Sequence, residues 1–121
     1  MNWMLVALGG AAGAVARYAA GRWVGAPAGA GFPWATFGVN VAGSLLLGVV
    51  VTLVPPDDPR RALLAVGFCG GLTTFSTFGY ETMVLWQHRA YGVAAAYVGL
   101  SLVSGLLGVV LGMWSATRLA P

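Results

Sequence analysis

The feature that most constrains this chain is how rarely a charged residue interrupts it. Only 7% of its 121 residues are charged, whereas 59% are hydrophobic. The charged side chains stand at Arg17, Arg22, Asp57, Asp58, Arg60, Arg61, Glu81, Arg89 and Arg118. A helix needs about 20 mostly apolar residues to cross a bilayer. The long uncharged stretches therefore predict an all-α integral membrane protein with four transmembrane helices.

We expect one domain over residues 1–121, with spans at about residues 2–23, 34–54, 61–87 and 91–118. The connections between them are short: "GAPAGAGFP" is rich in turn formers, "PPDDPRR" is charged and proline-rich, and "HRA" barely separates the last two spans. Asp58 is predicted to cap the third helix, with Pro59 as its first residue, because proline lacks the N–H that has no helical partner there. Both termini then lie on one side of the membrane.

Several other readings of the sequence are disfavoured. Residues 1–16 do not have the pattern of a cleaved signal peptide, because they lack a basic N-terminal region and are followed by Arg17. Cys69 has no second cysteine to pair with and is expected to be a small buried hydrophobe. His88 has no second metal ligand near it in the sequence. Because the sequence holds no paired acids, no nucleophile with a base and no metal cluster, we expect that the protein is not an enzyme.

The arginines favour neither direction of insertion. Arg60, Arg61 and Arg118 fall on the side of the two termini, and Arg17, Arg22 and Arg89 fall on the other side. Since the balance of Lys and Arg orients a membrane protein, this tie predicts dual topology. Four short helices are few for enclosing a pathway, so the expected assembly is an antiparallel homodimer.

Small residues recur four apart in three spans, a spacing that lets helix backbones approach closely. They are Gly9 and Gly13, Gly67 and Gly71, and Ser104, Gly108 and Gly112. The spacing suits contacts between two copies of the chain. Packing within one chain is the alternative.

The stretch "GGLTTFSTFGYE", residues 70–81, predicts a break in the third span. Two adjacent glycines and two β-branched threonines make it the weakest helix-forming part of that span. Unwound backbone at membrane depth is tolerated only where protein covers it or where it lines a wet cavity. Its freed carbonyls can coordinate a cation, and the start of the next helical segment favours an anion. We therefore predict a functional site at this break.

The polar residues of the spans suit a small anion. Hydroxyl and amide donors are concentrated here, whereas Glu81 is the only acid in any span and a cation path should be lined by carboxylates. Ring edges of Phe75 and Phe78 can also face an anion, although periodicity alone favours core or lipid-facing positions for both rings. The donors singled out are Asn40, Thr73, Thr74, Ser76, Thr77, Tyr97 and Ser101.

Three segments, "GGAAGAVARY", "TFGVNVAGSLLLG" and "GFCGGLTTFSTF", closely resemble the Fluc/CrcB family of fluoride channels, and the likeness extends over the whole chain. The resemblance implies an antiparallel homodimer with two narrow pores in the bacterial cytoplasmic membrane. Such a channel exports fluoride passively and gives fluoride resistance. The implied partners are fluoride, a second copy and the lipid bilayer, and no nucleic acid.

Carried onto this sequence, the resemblance implies that ring edges of Phe75 and Phe78 line the fluoride path and that Asn40 donates a hydrogen bond in it. It further assigns to the pore the hydroxyls of Ser76, Thr77, Tyr97 and Ser101. The chain departs from the family where a further serine is expected, because Gly105 stands there. Either Ser104 or a water could replace that hydroxyl.

The resemblance also implies a structural Na⁺ at the dimer centre, held by the main-chain carbonyls of Gly70 and Thr73 from both copies. Arg17 matches the family's first-span arginine, either as part of an electropositive vestibule or as a structural contact, and simple snorkelling is the alternative. Two rival functions remain. A small multidrug-type, proton-coupled exporter has the same size but needs a glutamate in its first span, and a non-transporting assembly subunit would leave the hydroxyl cluster unexplained.

Overall fold

The computed structural model describes residues 2–27 and 29–120, and the regular structure in these residues is entirely helical. Helix α1 spans Asn2–Val24 and α2 spans Trp34–Leu53. Helix α3 covers residues 59–72 and consists of Pro59–Arg61, the π-helical Ala62–Cys69 and Gly70–Leu72. Helices α4 and α5 span Phe75–Gln87 and Tyr91–Leu119.

Four segments are long and apolar enough to cross a membrane: Asn2–Val24, Trp34–Leu53, Pro59–Gln87 and Tyr91–Leu119. Their bounds lie close to those expected from the sequence. The third segment contains both α3 and α4. The all-helical architecture with four potential spans is therefore confirmed.

The predicted cap at the start of α3 is confirmed. Asp58 Oδ1 accepts a hydrogen bond from the backbone N–H of Arg60 at 2.8 Å, and Pro59 is the first helical residue. The Arg60 guanidinium also pairs with the Asp58 carboxylate at 2.6 Å. The side-chain and backbone hydrogen bonds from Arg60 lower the pKa of Asp58 below its usual value. Helix α3 thus begins at the predicted residue, with the predicted cap before it.

Glycines allow two pairs of helices, α1 with α3 and α2 with α5, to pack closely. Gly9 and Gly13 of α1 lie against α3, and a Cβ at either position would collide with a backbone carbonyl, that of Leu63 or of Phe68. Gly48 of α2 lies in the same way against the carbonyl of Val109 in α5. The most extensive packing joins α2 to α5 and α1 to α3. These glycines therefore mediate contacts within one chain, which was the alternative left open by their spacing.

The third span is interrupted at two residues. Helix α3 ends at Leu72, Thr73 (φ −84°, ψ 153°) and Thr74 (φ −148°, ψ 124°) are extended, and α4 begins at Phe75. The Thr74 hydroxyl oxygen accepts a hydrogen bond from the N–H of Thr77 at 3.2 Å and so caps the new helix. The chain thus changes from helix to extended backbone and back inside one span.

The main buried cluster lies between α4 and α5. Leu85, Ala94 and Tyr97 form its centre, and the rings of Phe32, Phe37 and Phe78 pack around it. Tyr97 is fully buried. This packing places the start of α4 against the first half of α5, next to the interruption.

Candidate functional site

Asn40 holds the interruption through its side-chain amide. Its Nδ2 donates to the Thr74 carbonyl at 3.1 Å, and its Oδ1 accepts from the Thr74 N–H at 2.8 Å. The amide thus satisfies both backbone groups of an extended residue that has no strand beside it. One further N–H of the amide remains for another acceptor. Asn40 is therefore both a structural clamp and a possible donor.

The interruption releases the main-chain carbonyls of residues 70–73 from their helical donors, and those of Gly70 and Thr73 are the two in the predicted cation site. In a continuous helix, Gly70 C=O would accept from the Thr74 N–H and Thr73 C=O from the Thr77 N–H. The first of these donors bonds to Asn40 Oδ1, and the second bonds to Thr74 Oγ1. Gly70 is exposed and Thr73 is half-buried. Neutral oxygens of this kind are the ligands that hard cations take, so the residues present fit a main-chain cation site.

Arg17 reaches the same turn from α1. Its Nε donates to the Gly71 carbonyl at 3.1 Å, across 54 residues of sequence. The Thr73 N–H and hydroxyl both donate to the Cys69 carbonyl, at 3.0 and 2.8 Å. The carbonyls of Cys69 and Gly71 are thus paired with donors of the protein, whereas no donor among the described residues reaches those of Gly70, Leu72 and Thr73.

A cleft of about 330 Å³ lies beside the interruption. Its walls come from α2, α3, α4 and α5, and the residues that line it include Gly70 and Thr73 together with residues that carry hydroxyls, an amide and two phenylalanine rings. The predicted site residues that line it are Asn40, Gly70, Thr73, Phe75, Phe78 and Ser101. The structure thus brings together residues that are up to 61 positions apart in the chain.

The two phenylalanines differ in their surroundings. Their ring centroids are 5.9 Å apart. Phe78 packs against Tyr97, with centroids 5.0 Å apart, whereas Phe75 is 82% exposed on this chain. Phe78 is therefore fixed by its own chain, and Phe75 stands out from it.

Two buried hydroxyls on α5 have no hydrogen-bond partner among the described residues. They belong to Tyr97 and Ser101, which are four residues apart and so lie on one face of the helix. Ser101 opens onto the cleft, and Tyr97 lies behind Phe78. Because a buried hydroxyl without a partner is costly, this stripe has donors to offer to a small polar solute.

The remaining predicted residues lie elsewhere around the interruption. Thr77 is half-buried on another side of α4, where it lines a cavity of about 290 Å³ with Arg17, Arg22 and Thr36. Ser76 is exposed, and its Oγ lies 3.4 Å from the Thr74 hydroxyl. Only Thr77 of this pair therefore borders an internal cavity.

One contact was not anticipated from the sequence. Thr36 donates its hydroxyl hydrogen to Glu81 Oε1 at 2.5 Å. The sequence did contain a signal, because Thr36 stands one helical turn before Asn40 and Glu81 one turn after Thr77. The only acid of the spans is thus half-buried and hydrogen-bonded to Thr36 of α2.

Metal-binding side chains do not cluster in residues 2–27 and 29–120, where no group of three or more His, Cys, Asp and Glu residues occurs. A cation near the interruption would therefore not be held by a cluster of such side chains, whereas main-chain oxygens without helical donors are present there.

Comparison with known proteins identifies the family. The family model described as "CrcB-like protein, Camphor Resistance (CrcB)" matches residues 4–113. A protein of Acidobacterium capsulatum is 43% identical over 98% of each chain, and one of Thermus thermophilus is 47% identical over 92% of this chain and 90% of its own. A third, of Bordetella petrii, is 45% identical over 98% of this chain and 94% of its own. All three are named "Fluoride-specific ion channel FluC".

The family match covers most of all four potential spans. Together with the helices, it identifies a multi-pass membrane protein. The chain belongs to the CrcB-like protein family.

Proposed function

We propose that the protein is a fluoride-selective channel that lets fluoride leave the cell passively across the bacterial cytoplasmic membrane. Such a channel lowers intracellular fluoride and so gives fluoride resistance. The observation that carries the proposal is the cleft beside the interrupted span, which is lined by an amide, a buried hydroxyl without a partner and two phenylalanine rings. The names of the relatives support the same ion.

The chemistry of the cleft suits an anion. Asn40 has an amide N–H left to donate, and Ser101 has an unpaired hydroxyl. The edge of a phenylalanine ring is the positive part of its quadrupole. Asp and Glu are not among the residues that line this cleft. Cation pathways are expected to contain such acids.

Fluoride in particular is small and strongly hydrated, so a selective path must replace its water shell with several closely spaced donors. The hydroxyls of Ser76 and Thr77 lie in the first turn of α4, where the helix dipole also favours an anion. We assign Tyr97 and Ser101 to the continuation of the path along α5. Phe75 and Phe78 form its aromatic wall.

The working assembly is an antiparallel homodimer of chains inserted in both directions. Phe75 supports this arrangement, because its ring is 82% exposed although it lines the cleft. A second copy packed on this side would cover the ring and narrow the cleft. The equal numbers of arginines on the two sides support insertion in both directions.

A structural Na⁺ at the dimer centre would be held by the carbonyls of Gly70 and Thr73 from both copies. The support is that both carbonyls have lost their helical donors. When bound, the ion supplies positive charge to the carbonyl end of α3. Arg17 is assigned a structural role in the same turn, because its bond to the Gly71 carbonyl supports the end of α3.

The proposal is tested by ion efflux from liposomes that contain the purified protein, with a potential set by potassium and valinomycin. We expect rapid loss of fluoride while chloride is retained. If neither anion moves and a lipophilic cation exchanges for protons, a multidrug-type exporter replaces the channel. No transport of any of these ions would favour a non-transporting assembly subunit.

A further inference from the structure

The cleft extends past Ser101 to a place where α5 has no side chain. Gly105 lies one helical turn beyond Ser101 and lines the cleft. An ideal Cβ placed on Gly105 would lie 3.8 Å from the Oγ of Ser44, which is an ordinary contact distance, and apart from the backbone of its own helix turn no other atom would lie within 4 Å. The hydroxyl of Ser44, on the facing helix α2, therefore borders the space that a side chain at position 105 would fill.

Ser44 differs from the other serine close to this level of α5. The Ser104 hydroxyl donates to the Leu100 carbonyl of its own helix, and Ser104 is not among the residues that line the cleft. Ser44 lines the cleft, and its hydroxyl makes no hydrogen bond within residues 2–27 and 29–120. The hydroxyls of Thr52, Thr82, Ser115 and Thr117, by contrast, all donate to carbonyls of their own helices. Ser44 therefore has a donor that its own helix does not use.

Two helices present polar groups to this cleft in register. On α2, Asn40 and Ser44 are one turn apart, and on α5, Ser101 and Gly105 are one turn apart. The Ser44 hydroxyl is the group that faces Gly105. Between them, the two helices place an amide and two hydroxyls along one cleft.

We propose that Ser44 is a further anion-binding residue of this pathway, which donates its hydroxyl to the permeating ion at the level where α5 carries only Gly105. This assignment rests on the proposed fluoride channel. It places the donor on α2 and excludes Ser104 from the pathway.

The test moves the hydroxyl from one helix to the other. Ser44→Ala removes the donor but keeps the Cβ that packs beside Gly108. The double variant Ser44→Ala/Gly105→Ser returns a hydroxyl to the same space from α5, where the added Cβ meets no backbone. Ser104→Ala is the matched control. It also deletes a serine hydroxyl, but that hydroxyl donates to a carbonyl of its own helix. Ser44→Cys is a second variant that keeps the shape and offers only a weak donor.

Fluoride efflux from liposomes is measured for each variant that elutes from a sizing column as the wild-type protein does. We expect Ser44→Ala to lower the rate by about tenfold or more, since hydrogen bonds to charged groups are the strong ones. Ser44→Cys should also be slow, Ser104→Ala should match the wild type, and the double variant should recover most of the lost rate.

Two results overturn the assignment while leaving the channel in place. One is a wild-type rate in Ser44→Ala or Ser44→Cys when Phe75→Ile is slow. The other is a double variant that stays as slow as Ser44→Ala although it assembles normally. If wild-type vesicles themselves release no fluoride, the proposed function fails, and the assignment of Ser44 fails with it.

Discussion

At the scale of single residues, Asn40 shows where the sequence was informative and where it was not. The sequence predicted a polar residue in the middle of the second span, with both donors and an acceptor to offer. It did not predict that two of those groups would bind the backbone of Thr74. That contact depends on how α2 packs against the third span, which no local pattern specifies. The same applies to Thr36 and Glu81.

Replacing Asn40 by alanine should destabilise the protein. The change leaves the Thr74 N–H and carbonyl without partners, and each unsatisfied buried group costs about 1–3 kcal/mol. Thermal unfolding of the purified protein in detergent measures the loss. Ser104→Ala is the control and should change the free energy of unfolding by less than about 0.5 kcal/mol. Equal melting temperatures for the two variants would contradict the clamp.

The phenylalanine pair should control transport. Phe75→Ile and Phe78→Ile each remove a ring edge from the cleft, so we expect both to suppress fluoride efflux from liposomes. Phe78→Ile should also lower stability by about 1 kcal/mol, because its ring packs on Tyr97. Phe68→Ile is the control, since Phe68 is not among the residues that line the cleft or pack on Tyr97. Wild-type rates in both test variants would remove these rings from the pathway.

At the scale of helices, the four-residue spacing of small residues predicted close approach but not the partner. The spacing of glycines shows which face of a helix another backbone can approach closely. It does not show which helix packs there, because any helix with a similar face would fit. The structure pairs α1 with α3 and α2 with α5 within one chain. The cap at Asp58, in contrast, was predictable in detail, because an N-cap depends only on residues next to it in sequence.

Adding one methyl group between paired helices should be costly. In Gly48→Ala the new Cβ would collide with the Val109 carbonyl, so we expect a loss of about 1–3 kcal/mol in the free energy of unfolding. Gly99→Ala is the matched control within α5, because its Cβ would meet no atom within 4 Å. It should be neutral or stabilising by up to about 1 kcal/mol. Both are measured by thermal unfolding, and equal destabilisation would argue against direct backbone contact at Gly48.

At the scale of the whole molecule, hydropathy predicted the four spans because the bilayer imposes the same length on each of them. How the spans form a cleft could not be predicted from the sequence, because the cleft depends on contacts between four different helical segments. The exposed ring of Phe75 points beyond the single chain. A site that is partly built on an exposed surface supports the proposed dimer, in which a second copy would cover this ring.

The proposed sodium ion makes stability depend on the cation in solution. If Na⁺ binds the assembled protein at a hundred times its dissociation constant, it contributes about 2.7 kcal/mol. Exchanging Na⁺ for N-methylglucamine at equal ionic strength should therefore lower the melting temperature, and titrating Na⁺ back should restore it. Thr73→Ala keeps the carbonyl and should keep this dependence on Na⁺. A melting temperature that does not respond to the cation would overturn the sodium assignment.

The bond between Arg17 and the Gly71 carbonyl also constrains how the protein is made. The ribosome adds the 54 residues that separate them in roughly 3 to 11 s, at about 5–20 residues per second. During that interval the first span carries a guanidinium whose partner does not yet exist. Because an unpaired charge inside the bilayer is expensive, we expect Arg17 to stay near the membrane surface until the third span follows. The bond to the Gly71 carbonyl would then form only after the third span has entered the membrane.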